Sequence, residues 1–168
     1  LFAPKAFATT SVSGTISVDT VWTSNNSPYV VSYLFVNAGI TLTINPGVVV
    51  KFQDSGSSID VNGTLNANGT PAEKVYFTSI KDDSVGGDIN DDGNTTVPMA
   101  KDWRYVKFNN GSVGSFSFAV VRYAGSTPGA GIYNNGGNLT ISDSVITNNG
   151  DRGILNFNGT SYITSSEI

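Results

Sequence analysis

The sequence predicts an all-β solenoid, in which short strands wind into about five to seven stacked coils around one apolar column. Two observations carry that prediction. The first is a recurring text: Val50-Lys51-Phe52, Val75-Tyr76-Phe77, Val106-Lys107-Phe108, Gly131-Ile132-Tyr133 and Gly153-Ile154-Leu155, spaced by 25, 31, 25 and 22 residues. The register extends past those triplets. A shift of 25 residues pairs Asn109 with Asn134, Asn110 with Asn135, Phe116 with Ile141, Val121 with Ile146 and Gly125 with Gly150, and a shift of 22 pairs Asn134 with Asn156, Ile141 with Ile163 and Ile146 with Ile168. The second is the local pattern. Helix-period amphipathicity is absent, and short runs of Val, Ile, Phe, Tyr and Thr recur between Gly and Asn. The 19 Gly and 18 Asn supply the punctuation, because both tolerate the positive φ of tight turns.

The elements follow in order. Residues 1–12 form an apolar N-terminal extension, in which Ala6-Phe7-Ala8 has the small-x-small form of a signal-peptidase site. The segment reads either as a signal-peptide remnant or as an extension that docks on its own solenoid or on a neighbouring chain. Residues 13–168 form the solenoid. Its opening coil, 13–38, contains the alternating Gly14-Thr15-Ile16-Ser17-Val18, the large apolar Trp22 as a lid, and Tyr29-Val30-Val31. Residues 39–80 carry the clearest period-two alternation, Ile40-Thr41-Leu42-Thr43-Ile44, then the turn Asn45-Pro46-Gly47 and the run Val48-Val49-Val50-Lys51-Phe52. Ile59-Asp60-Val61, Asn62-Gly63, Thr64-Leu65-Asn66-Ala67 and Asn68-Gly69 continue it. Residues 81–102 interrupt the rhythm with an acidic loop, and Trp103 to Phe108 resume it. Inward Ile, Val, Phe and Leu are expected to form columns along the axis, with Asn109, Asn134 and Asn156 as a side-chain ladder or as turn residues.

At 168 residues the chain is one domain in size. Only 13% of residues are charged and the net charge is −4, so there is no basic footprint for nucleic acid or anionic lipid. Without Cys the chain has neither disulfides nor thiolate metal sites, and without His it lacks the commonest general base and transition-metal ligand. No apolar run approaches membrane-spanning length, so the chain is not expected to span a membrane.

The texts Ile40 to Phe52, Val61-Asn62-Gly63-Thr64-Leu65 and Thr140 to Gly150 resemble right-handed parallel β-helix repeat proteins, above all secreted and surface-anchored bacterial ones related in fold to pectate lyases. The resemblance covers roughly residues 13–168. It implies a right-handed parallel β-helix at an extracellular or cell-surface location. It does not select a function, since that architecture hosts lyases, hydrolases, adhesins and passive stalks.

One constellation carries chemistry. Asp88-Ile89-Asn90-Asp91-Asp92-Gly93-Asn94 matches the first half of a calcium loop, with alternating oxygen side chains at Asp88, Asn90 and Asp92, a sharp turn at Gly93, and the backbone carbonyl of Asn94 at position seven. Position twelve is Met99 where an EF-hand has a bidentate Glu, and flanking helices are absent, so further ligands must come from Asp82, Asp83, Asp91 or Asp102. Six carboxylates between 82 and 102, nearly half of the chain's 13 acidic residues, would repel one another without a cation. Ca2+ in a structural role is the expected occupant. A solvated acidic loop is the alternative.

The same carboxylates admit a catalytic reading. Paired Asp can hydrolyse glycosides without His; the candidates are Asp82, Asp83, Asp102 and Arg104, with Lys107 or Arg122 as cationic partners, and an enzyme needs Asp82, Asp83 or Asp102 to converge with Arg104 or Arg122 at one accessible spot. Arg104 and Lys107 equally suit outward positions that keep a solenoid soluble. Tyr105 and Tyr123 read as outward aromatics, suited to stacking on sugars or to an ordinary rim. Thr41, Thr43, Thr64 and Thr140 lack the every-coil repetition of a flat Thr face. The expected role is non-catalytic and structural: an extracellular or surface solenoid, continued by the rest of a longer protein or by other copies stacked end to end into a filament. The alternatives are a carbohydrate-binding or adhesin module that contacts glycans, and a polysaccharide lyase or hydrolase fragment.

Overall fold

The computed structural model describes residues 9–168; the signal-like text at 1–8 lies outside the described residues. Six coils stack along one axis. The first holds β1 (Thr10–Ile16) and β2 (Thr20–Trp22). The second holds β3 (Tyr29–Val36) and β4 (Thr41–Ile44). The third has β5 (Val49–Phe52), β6 (Ser58–Val61) and β7 (Thr64–Asn68). The fourth has β8 (Val75–Ser79), β9 (Tyr105–Phe108) and β10 (Val113–Ser117). The fifth has β11 (Ala119–Arg122), β12 (Ala130–Asn135) and β13 (Asn138–Ser142). The sixth has β14 (Val145–Thr147), β15 (Arg152–Phe157) and β16 (Thr160–Thr164).

Each strand pairs in parallel with its equivalent one coil away, which makes the molecule a parallel β-helix with three faces. The first face runs β3-β5-β8-β11-β14, the second β3-β6-β9-β12-β15, and the third β2-β4-β7-β10-β13-β16. β3 belongs to two faces because it bends round their common corner. Tyr29 to Val31 pair with β5, and Tyr33 to Val36 pair with β6. β1 follows β3 round the same corner, with a register shift between Val12 and Gly14. The solenoid therefore begins at Thr10, three residues inside the segment that the sequence assigns to the extension.

The observed register corrects two pairings read from the text. Val75-Tyr76-Phe77 stacks on β5, but with Phe77 opposite Val50, two residues from the textual match. Val106-Lys107-Phe108 does not follow it on the same face; it lies on the second face, between Ile59-Asp60-Val61 and Ile132-Tyr133-Asn134. A three-faced coil offers three similar in-out-in strands per turn, so the 31-residue spacing is a step between faces. The other correction concerns Asn134, which pairs with Phe108 and not with Asn109. A one-residue slip would turn Phe108 outward, and burial of one face forbids that. Other pairings hold as read, among them Phe116 with Ile141, Val121 with Ile146 and Ile141 with Ile163.

The asparagines cap turns and do not form the ladder of Asn109, Asn134 and Asn156. Asn134 is fully buried, and it accepts from the Gly137 N–H at 2.9 Å while donating to the Thr160 carbonyl at 3.0 Å. Asn109 donates instead to Asn62 at 3.1 Å. Inside, Leu42, Leu65, Val50, Phe77, Ile59, Phe108 and Ile132, drawn from the three faces, belong to one buried hydrophobic core. Trp22 lies flat on Tyr29 with ring centroids 4.4 Å apart, closing the core near the first coil. Residues 81–102, which contain no strand, leave after β8 and return at Trp103, whose ring stacks on Phe52 at 3.8 Å.

Candidate cation site in the acidic loop

The loop is fastened to the outward side of the first face. Pairing aligns Lys51, Thr78 and Arg122 in one outward column. Alternation would leave Lys51 in water, yet it is fully buried, because the loop folds over it. Its ammonium donates to the carbonyls of Asp82 at 2.9 Å and Gly87 at 2.5 Å. Burial pulls the Lys51 pKa down, against the opposing pull of Asp83, Asp82 and Asp88. Gly86 is required at this crossing. Its φ is +69°, and a Cβ there would meet Pro28 at 2.9 Å and Lys51 at 3.3 Å.

Two of the acidic residues are fully engaged by the protein. Asp82 is buried, with Oδ2 accepting from Arg122 Nε at 2.8 Å and from Thr78, and Oδ1 accepting from Ser84 at 2.6 Å. Burial alone would raise its pKa; the hydrogen bonds from Ser84 and Thr78 and the Arg122 guanidinium outweigh it and hold the carboxyl below the usual range. Asp102 pairs with Lys81 at 2.8 Å and accepts from Ser79 at 2.8 Å. The sequence placed Asp82 and Asp102 among the cation ligands; in the structure their carboxylates bond Arg122, Thr78 and Ser84, and Lys81 and Ser79, near the two ends of the loop.

What remains is a compact group. Asp83, Asp88 and Asp92 each offer a carboxylate oxygen, all within 4.8 Å of one another. The D-x-N-x-D-G turn forms as its text implies. Asp88 accepts the N–H groups of Asp92 at 3.2 Å and Gly93 at 2.9 Å, and Asp92 accepts those of Thr95 at 3.0 Å and Thr96 at 3.1 Å. Asn90 donates to Asp92 at 2.7 Å, leaving its own Oδ1 buried and without a partner; Asp83 Oδ1 is in the same condition. Burial, together with the charges of Asp88 and Asp92, pushes the Asp83 pKa up despite Lys51. The site thus gathers hard oxygen donors, two of them orphaned, around a local excess of negative charge, and these residues fit a hard divalent cation. Asn94 and Asp91 are both exposed, with φ 68° and 55°.

Of the predicted catalytic pairings, Asp82 and Arg122 meet, with the Asp82 carboxylate buried. Arg104 lies elsewhere, with its guanidinium 4.8 Å over the ring of Tyr105 and its Nε 3.4 Å from the Thr127 carbonyl. Tyr105 is buried and Tyr123 half-buried. Sequence reasoning missed Lys51 and Arg122 as the cations that seat the loop; their only signal is a basic residue at the same outward position of two strands on one face. Comparison with protein-family models, curated proteins and solved structures finds no match to this chain.

Proposed function

We propose that the chain is an extracellular structural β-solenoid that assembles end to end, with its acidic loop stiffened by Ca2+. The observation that supports this most is the state of the sixth coil. Among the described residues β15 and β16 each pair on one side only, whereas Glu167 bridges to Val145 along the outer side of β14, and Tyr162, Ile163, Phe157 and Ile168 are 66%, 40%, 56% and 56% exposed. Unpaired parallel edges beside apolar side chains are a template for another coil. The surface that fits such an edge is a coil of the same repeat, supplied by another copy or by the rest of a longer protein, as every internal coil of this chain illustrates. β1 and β2 also pair on one side only among the described residues. A second copy docking there makes a heterologous contact, and one that does not close grows into a filament.

Ile163→Lys tests the assembly by placing a charge in the edge. Sedimentation should find concentration-dependent association of the parent chain and monomers for the variant, with similar melting temperatures. A parent chain that stays monomeric at every concentration contradicts the proposal.

The cluster of Asp83, Asp88 and Asp92 suits the same reading, because loops with few ligands match the millimolar calcium outside cells. With 10 mM CaCl2 and a dissociation constant of about 0.1 mM, stability should rise by about 2.7 kcal/mol and protease cleavage within 81–102 should slow. EDTA should reverse both effects, and Asp88→Asn should abolish them. An identical melt with calcium and with EDTA removes the calcium claim.

A further inference from the structure

The outward side of the second face carries a cluster that neither the loop nor the open coil explains. Register stacks Phe35, Asp60, Lys107 and Tyr133 in one outward column, and Tyr33, Ser58 and Tyr105 in the next. Tyr33 and Phe35 meet edge to face at 4.6 Å, and Tyr105 and Tyr133 at 6.2 Å. The Lys107 ammonium lies 5.5 Å from the Tyr133 ring centroid. Tyr33 is 42% exposed and offers its ring to solvent.

Asp60 sits inside this frame and is only 5% exposed, although it points away from the core. Its Oδ2 accepts one hydrogen bond, from Ser58 at 3.2 Å; among the described residues Oδ1 has no donor and the carboxylate forms no ion pair. Burial pushes its pKa up, and Ser58, Lys107 and Arg104 offset this only in part. A carboxylate held this way costs stability, where a Thr or Val at the same outward position would not. Placing that cost inside an aromatic frame is the pattern of a binding site.

We propose that this face binds a neutral oligosaccharide, with a pyranose ring stacked on Tyr33 and sugar hydroxyls donating to the free oxygen of Asp60. The chemistry selects this class. A phosphate or uronate would confront Asp60, and a cationic ligand would confront Lys107 and Arg104. A neutral polyol supplies donors to the carboxylate, acceptors to the two cations, and C–H faces to the rings. From Phe35 to Tyr133 the column spans three coil spacings, roughly 14 Å at about 4.8 Å per coil, which is room for a short oligosaccharide and not just one ring. The proposal is independent of end-to-end assembly, since this face lies along the side of the solenoid.

The test is an array of neutral, uronic and amino-sugar oligosaccharides, followed by calorimetry with the neutral oligosaccharide that binds best. Tyr33→Ala and Asp60→Asn should each weaken binding by about tenfold or more. Thr140→Ala, on the third face, should bind like the parent. Asp60→Asn keeps the shape and removes a buried charge, so its melting temperature should equal or exceed the parent's, which separates lost binding from lost folding. Absence of neutral-sugar binding, binding of charged sugars only, or parent-like affinity in either variant overturns the proposal.

Discussion

Trp103→Ala should destabilise the protein by about 3–5 kcal/mol, measured as a lowered urea midpoint. Trp103 is fully buried, and its indole lies flat on Phe52 with an interplanar angle of 3°. Truncation removes that stacked area and leaves a cavity the rigid coils cannot collapse into. It also removes the indole N–H that donates to the Arg122 carbonyl at 2.8 Å, orphaning an acceptor. Because Trp103 is the first residue after the acidic loop, the variant should also free the loop, read as faster cleavage within 81–102. Trp103→Phe retains the ring stack and should lose roughly half as much or less. A cost under about 1 kcal/mol for the alanine variant would show that the loop does not return through the core at this point.

The second large effect is at Arg122. Arg122→Ala should cost about 3–5 kcal/mol at neutral pH, because it strands the buried Asp82 carboxylate without its counter-charge. The pH dependence fixes the mechanism. The folded-state pKa of Asp82 is depressed, so its contribution is complete above the ordinary carboxylate value of 3.8 and is lost as pH falls through the lower folded value. The parent chain should therefore lose stability on acidification through that window. The variant, with its largest counter-charge gone, should lose less, and the two should converge at low pH. Parallel curves would show that Arg122 acts through packing alone, over the Tyr76 and Tyr123 rings it covers.

The fold was legible because solenoid texts repeat. Alternation in Thr41 to Ile44 and the Phe116, Ile141, Ile163 column needed no tertiary information, and all three column residues occupy equivalent places on the third face. The assignment of strands to faces was not legible. Val75-Tyr76-Phe77 and Val106-Lys107-Phe108 carry nearly the same text on different faces, and only the path of the coil between them separates the two. The metal-like turn was readable from Asp88, Asn90, Asp92 and Gly93, since such a turn is local. Its surroundings were not. Asp82 and Asp102 lie near the turn in sequence, but their partners Arg122 and Lys81 are settled by strand register and chain return. Lys51 and Asp60 were the hardest to foresee: both stand at outward positions of short strands, where alternation predicts solvent, and neighbouring side chains or the loop bury them.

The most direct test of the account is electron microscopy of the purified chain in millimolar calcium, with X-ray fibre diffraction from aligned material. Stacked coils predict unbranched filaments one solenoid wide with an axial reflection near about 4.8 Å, and Ile163→Lys should abolish them. Monodisperse particles with the mass of one chain at every concentration would contradict end-to-end assembly.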